Sequence, residues 1–526
     1  MRRLAASIAV VVGVLAAWGA HAQPAPKVLR IIPSADLRIL DPIWTTADIT
    51  RDYAYMVYDT LFALDGQAKP QPQMAETWTV SDDKLTYDFT LRDGLRWHDG
   101  APVRATDCVA SLERWMKRDV FGQKLGAAVG AIEALDERRF RIALKEPFPL
   151  LLDALAKISN NVPFMMPERL ARTDPFKQIT ESVGSGPFKF VKEEWVSGSK
   201  AVFVRNTDYV PRKEPAERAA GGKVVKVDRV EWLVLPDTAT ATAAFNAGEV
   251  DIYQRPPFDL LPVLARNPEV TVTDVDPLGT FGVLRFNQRQ PPFDNVKMRQ
   301  ALLYLVDQRE YMSAVAGDEK NWHVCAAIFA CGTPLATDAG AASLLGAKDP
   351  EKARLLVKEA GYKGEPIVIL DPTDQPTIHP QALVTAEILR RAGLNVDLQA
   401  MDWGTLTSRR TSKEPVDKGG WNIFHTTFSG WEIINPTVNS PLRSNGDAAY
   451  FGWPTDDKIE RLRDAWLKAP DRESQTQIAT ELQLRAYETV PYIVVGQFAS
   501  VMAYRKTVTG IIKAPVLILW NVEKAG

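Results

Sequence analysis

Four histidines follow residue 22: His98, His323, His379 and His425. They are spread along the chain, and none sits in an H-E-x-x-H or Cys/His ladder that would predict a metal centre. Gly184-Ser185-Gly186-Pro187 suggests a nucleophile or a phosphate cradle, but it completes neither the G-x-S-x-G elbow nor the G-K-S/T ending. A structural turn is the expectation there. No motif nominates a pair of carboxylates for glycoside hydrolysis. No catalytic residue, metal site or cofactor is therefore assigned. Cys325 and Cys331, in HVCAAIFACGTP, read as a local disulfide; two free thiols, or a metal clip with His323, are the alternatives. Cys108 reads as a small buried residue on a helix.

The residue types that could recognise a small molecule concentrate in Trp421–Pro436, WNIFHTTFSGWEIINP. Four large aromatic rings, His425 and the hydroxyls of Thr426, Thr427 and Ser429 lie together. Gly430-Trp431 then lets the backbone turn. This is either a buried strand entering a loop or the wall of an apolar cleft with a few orienting polar groups. The chain has 14 tryptophans, several next to glycine or proline, including Trp403-Gly404 and Trp453-Pro454.

The surrounding elements alternate helices and strands. Period-two runs at Leu85–Leu91 and Phe140–Leu144 predict half-buried strands. Asp48–Phe62 and Val296–Met312 predict helices. Asp349-Pro350 caps a helix that ends at Gly361, and Gln381–Ala392 is a helix followed by the strand Leu394–Ala400. Thr455 and Asp471 cap two further helices. Pro491–Tyr504 and Pro515–Trp520 predict strands. Helix, glycine, strand is the grammar of an α/β layer.

Met1-Arg2-Arg3, an apolar run to Trp18 and Ala20-His21-Ala22 have the order of a secretory signal cut after Ala22. Loss of Arg2 and Arg3 moves the formal charge from −2 to −4. That near balance argues against a nucleic-acid or membrane-surface binder. The mature length exceeds what one core usually serves, so two or three domains are expected.

Several segments, in order and spacing, resemble the ABC-importer solute-binding proteins of family 5, the dipeptide, oligopeptide and nickel type. They include Leu40-Asp41-Pro42, Tyr58-Asp59-Thr60-Leu61, Pro72–Trp78, Trp97-His98-Asp99-Gly100, Gly184–Phe188, Arg205–Tyr209, Gly248–Ile252, Arg299–Leu302 and Asp307-Gln308-Arg309. The resemblance implies an α/β, two-lobed periplasmic binding protein fold (type II, cluster C) with an extra subdomain in lobe I. Lobe I would be 26–45, 182–282 and 499–526, the inserted subdomain 46–181 and lobe II 283–498, with hinge crossings near 282 and 498. It implies a monomer in the periplasm that binds a small-molecule or peptide-like ligand and serves an inner-membrane ABC permease. It also implies a ligand site of Phe428, Ser429, Gly430, Trp431, Trp403, Arg410, Trp44, Thr46, Phe281, Tyr492 and Gln497.

Peptide-binding members continue past the Gly-Trp with an aspartate that pairs with the ligand's ammonium. Here Trp431-Glu432-Ile433-Ile434-Asn435-Pro436 lacks it, and Glu432 could supply the charge from a shifted position. Opines, sugar-like solutes, amino-acid conjugates and metal chelates, the last through His425, are the alternative ligands. A secreted α/β hydrolase and an exported chaperone or sensor partner are the alternative functions.

Overall fold

The computed structural model describes residues 26–469 and 471–525; the expected signal segment, 1–22, lies outside the described residues. Two large sheets carry the chain. The first has seven strands, in the order Phe188–Phe190, Lys200–Arg205, Arg229–Leu233, Val28–Ile32, Ile252–Tyr253, Val501–Arg505 and Val270–Asp274. Val28–Ile32 runs parallel to its two neighbours at the centre, which is why Leu29 and Ile31 are fully buried. The second has six strands, ordered Trp322–His323, Tyr492–Phe498, Thr280–Phe286, Ile423–Ser429, Ile367–Pro372 and Val396–Met401. Every residue of Thr280–Phe286 is buried, and it pairs antiparallel on both sides.

A four-stranded antiparallel sheet, Ala75–Val80, Thr86–Leu91, Arg139–Leu144 and Val129–Ala134, forms the smaller body. Tyr87, Phe89 and Leu91 alternate inward on it, as the period-two pattern requires. Its core is continuous with that of the first sheet: Phe89 and Phe140 share a cluster with Leu29, Ile31 and Trp520. The second lobe has its own core on the two faces of its sheet.

The chain passes between lobes at 275–279 and 499–500, because Thr280–Phe286 and Tyr492–Phe498 already belong to the second sheet. The expected Pro491–Tyr504 strand is thus two strands, one in each lobe. Other expectations need correction. The first helix is Asp48–Val57; beyond it Asp59-Thr60 leave to pair with Phe164-Met165. The expected 296–312 helix breaks in two, since Asp307 accepts from the Arg309 N–H and caps the second, Gln308–Ala316. Asp456, rather than Thr455, caps Asp457–Lys468. Pro515–Trp520 is buried but joins no sheet.

Cys325 and Cys331 are bonded, and Cys108 is buried on a helix. Gly184–Pro187 is a packing turn: the Gly186 N–H donates to Val57 O at 2.9 Å, and a Cβ at Gly186 would lie 2.6 Å from Met56 O.

Candidate functional site

Between the lobes lies a chamber whose non-atom space, with the open solvent at its mouth included, is about 700 Å³. Its second-lobe wall is the end of the Ile423–Ser429 strand. Thr426, Thr427 and Phe428 line the chamber, while His425 lies outside its lining. His425 Nε2 bonds the Thr385 hydroxyl at 2.7 Å, and burial pushes the ring down to about 3. It is a wall residue on the far side of the sheet, which removes it as a chelate ligand in this chamber.

The helix Trp403–Arg409 begins at Asp402, whose side chain accepts from the Thr405 N–H, and is held at its start by Asp374, which accepts from the Trp403 N–H at 2.8 Å. This places Trp403 and Arg410 on the chamber wall. Arg410 is only 2% exposed. Its guanidinium lies 4.6 Å from the Phe451 ring centre and 5.6 Å from Trp403. Nη1 donates to the Tyr450 hydroxyl at 3.2 Å, and Nη2 lies 3.5 Å from Thr46 Oγ1. Nε has no partner, and no carboxylate among the described residues pairs with Arg410. Burial pushes its pKa below the usual arginine value, only partly offset by Tyr450. Arginine nevertheless stays protonated at neutral pH.

Thr46 reaches the chamber because Asp41 organises its loop. Asp41 accepts from the Ile43 and Trp44 N–H groups and from both Nη atoms of Arg114, with Arg114 Nη2 at 2.7 Å. Asn161 Nδ2 ties the same loop through the carbonyls of Pro42, Ile43 and Thr45. The Leu40-Asp41-Pro42 motif thus acts through loop geometry rather than through ligand contact.

The other charges on the chamber are already matched. Glu432 Oε1 accepts from Arg51 Nη1 at 2.7 Å and Oε2 from the Ser429 N–H at 2.8 Å. Asp48 accepts from Arg51 at 3.0 Å and from Arg255 at 2.7 Å. Burial pushes both carboxyls up. At Asp48 the two arginines outweigh it and hold the group below the usual range; at Glu432 burial prevails over Arg51. Glu432 is engaged by the protein itself, so it does not stand in as a free ammonium anchor.

Of the expected ligand contacts, Phe428, Trp403, Arg410 and Thr46 meet in the chamber. The others do not reach it. Trp44 lies on an outer recess with Arg38 and Gly404. Phe281 and Tyr492 are buried in the second-lobe core. Ser429, Gly430, Trp431 and Gln497 gather at the crossing between lobes. Trp431 Nε1–H donates to Asp276 Oδ1 at 3.0 Å, and Arg218 stacks over its ring at 4.1 Å. Gly430 sits against Leu278, where an added Cβ would lie 2.4 Å from the Leu278 Cβ, so the approach admits no side chain at 430. Gln497 Nε2 donates to Leu278 O at 2.9 Å. Trp431 is therefore a contact between lobes and not a chamber wall.

Residues 69–450 match the family described as bacterial extracellular solute-binding proteins, family 5, middle. The chain is 43% identical to a probable peptide ABC transporter periplasmic-binding protein of Sinorhizobium fredii NGR234, over 93% of this chain and 92% of that one. It belongs to solute-binding family 5. A glutathione-binding protein of Salmonella typhi is 27% identical over 95% and 94% of the two chains. Among solved structures, the A. tumefaciens R10 binding protein AgaA in complex with agropinic acid has a TM-score of 0.80 at 23% identity, covering 95% of this chain and 99% of that one. The Pseudoalteromonas sp. SM9913 dipeptide binding protein in complex with Met-Leu has a TM-score of 0.79 at 21% identity, covering 95% and 100%. These two show the shared two-lobed fold.

As a family 5 protein, the chain is the solute-binding component of an ABC importer. No helix among the described residues is long and apolar enough to cross a membrane. Asp48, Arg255, Gln375, Thr377 and Tyr450 also line the chamber and were not expected there. Tyr450-Phe451 carried a usable signal, an aromatic pair beside Gly452-Trp453-Pro454 like the aromatics before Gly430-Trp431. The rest sit in no local pattern.

Proposed function

We propose that this protein captures a small carboxylate-bearing, peptide-like solute in the interlobe chamber and hands it, unchanged, to an inner-membrane ABC permease. The observation that carries this reading is Arg410. A buried guanidinium without an acid is costly, and its planar donors fit a carboxylate in two-point geometry. Glutathione, agropinic acid and Met-Leu, named with the relatives, all carry a carboxylate. The solute would complete the charge of the closed cleft and bind both lobes, Arg410 from one side and the Thr46 loop from the other.

In this reading the protein works as a periplasmic monomer after cleavage at Ala22. Lobe I comprises 26–45, 182–279 and 499–526, the subdomain 46–181, and lobe II 280–498. Native mass spectrometry of protein purified from its own periplasm, with identification of the released solute, tests the proposal. A carboxylate-bearing solute recovered intact is expected. A neutral or purely cationic solute, or recovery of a cleaved product, would sink it.

A further inference from the structure

A second chamber, about 610 Å³ with the open solvent at its mouth included, adjoins the first and shares Arg255, Thr377 and Thr427 with it. It runs along the two crossings, from Val275 and Thr280 to Phe498–Met502, and is closed by Ala514–Leu517. Its character differs from that of the first. Phe258, Val275, Phe498, Val501, Met502 and Val516 dominate its wall, no acid lines it, and its single cation, Arg255, is paired with Asp48. An uncharged apolar group fits such a space; a charged one would lose its hydration without a partner.

The first chamber, by contrast, has one unmatched charge, and it is positive. All four carboxylate oxygens of Asp48 and Glu432 already accept from Arg51, Arg255 or the Ser429 N–H. Asp52, one turn further along, lies outside the lining and accepts from Gln254 Nε2 and the Leu517 N–H. A free ammonium on the solute would find no unpaired carboxylate on the chamber and would face the cations Arg255 and Arg410. The junction of the two chambers carries the hydroxyl residues Thr377 and Thr427, suited to an amide that both accepts and donates.

Building on the carboxylate reading above, we infer that the solute is an N-acylated amino acid. Its carboxylate lies on Arg410, its amide between Thr377 and Thr427, and its acyl chain in the second chamber. The acyl group removes the amine's charge and supplies the apolar body in one structural feature, which is what two adjoining chambers of this chemistry ask for.

Calorimetry on the mature protein with N-acetylglycine, N-hexanoylglycine, N-octanoylglycine and N-octanoylglycinamide tests this, together with Leu-Gly and N-acetyl-Leu-Gly. Affinity should rise roughly threefold to fourfold per added methylene until the chamber is full. N-octanoylglycinamide should bind at least a hundredfold more weakly than the acid, and N-acetyl-Leu-Gly at least tenfold more tightly than Leu-Gly. Ala514→Trp, which fills the second chamber, should flatten the chain-length series; if that variant does not fold, the series on the unaltered protein still decides. A flat series with the amide penalty intact overturns the second-chamber assignment and leaves the Arg410 reading standing. Tighter binding of Leu-Gly than of its acetyl form overturns the inference as well. Equal binding of acid and amide overturns the carboxylate reading itself. If no acylglycine binds, the inference fails, and Leu-Gly against Leu-Gly amide tests the carboxylate reading alone.

Discussion

Arg410→Met should separate binding from folding in this protein. The side chain is buried, so the change removes a charge from the interior at similar volume. What is lost is the stacking on Phe451 at 4.6 Å, worth about 0.5–2 kcal/mol, and a 3.2 Å bond to the Tyr450 hydroxyl, worth about 1 kcal/mol. What is gained is relief from holding a guanidinium without a carboxylate, an effect of several kcal/mol. The ligand-free variant should therefore be as stable as the parent or more so, by roughly 1–3 kcal/mol. Binding should move the other way. A solute carboxylate left buried without its cation loses about 2–5 kcal/mol, a fall of roughly thirtyfold to several thousandfold in affinity. Urea unfolding of the ligand-free protein and calorimetry with the natural solute give the two numbers. A variant that unfolds more easily yet binds within threefold of the parent would show that Arg410 is a structural strut and refute the reasoning.

The crossing between lobes supports further tests. Trp431→Ala should weaken every ligand by a common factor of about tenfold, because it loosens closure and removes no chamber contact; calorimetry over a ligand series should show parallel losses, and a ligand-selective loss would return Trp431 to the site. Burial raises Asp276 to about 6, so the folded state holds its proton more tightly than the unfolded chain does. Its contribution is present below about pH 4 and is lost as pH rises through about 6, by roughly 2–3 kcal/mol. Asp276→Asn should remove that part of the pH slope in urea unfolding, and an unchanged slope would assign it elsewhere. His425 acts in the opposite sense: its ring is pushed down to about 3, so its contribution is present above about pH 6.5 and is lost as pH falls. His425→Gln should reduce acid sensitivity between pH 7 and 5, as measured by the same unfolding titration. Replacing Cys325 and Cys331 together with alanine should cost about 2 kcal/mol by releasing the loop between them; no change in unfolding free energy would show that its other anchors suffice.

What could be read along the chain was local. The alternation through Ile423–Ser429 places Phe428 and Thr426 on one face whatever the rest of the protein does. The Asp349 and Asp471 caps are each satisfied by an N–H three residues on. The helix expected through 48–62 failed for a non-local reason: Asp59-Thr60 are claimed by Phe164-Met165, a partner more than a hundred residues away. The site divides in the same way. Trp403 and Arg410 came through family resemblance and one helix. Trp431 meets Asp276 and Arg218, partners about 155 and 213 residues away that no local spacing points to. Glu432 looked like a free acid because its counter-ion, Arg51, lies on the first helix. Pairing of charges across a cleft leaves no trace in spacing.

That pairing gives the cleft its logic. Arg51 joins Glu432 of the second lobe to Asp48 of the first helix, and Asp48 in turn holds Arg255, so four charges cancel in a chain that spans the lobes. Such a network favours closure but cannot select a ligand, because it is complete without one. On the proposed reading selection falls to Arg410, which is buried here without an acid. A solute that brought the carboxylate would bind the closed form better than the open form, and such a difference in affinity is the condition for a ligand to shift a hinge equilibrium. A neutral solute that filled the same space would leave the buried charge unmet and would gain far less from closure. On the proposed reading, the same arginine that lowers the stability of the empty state would make closure depend on a carboxylate.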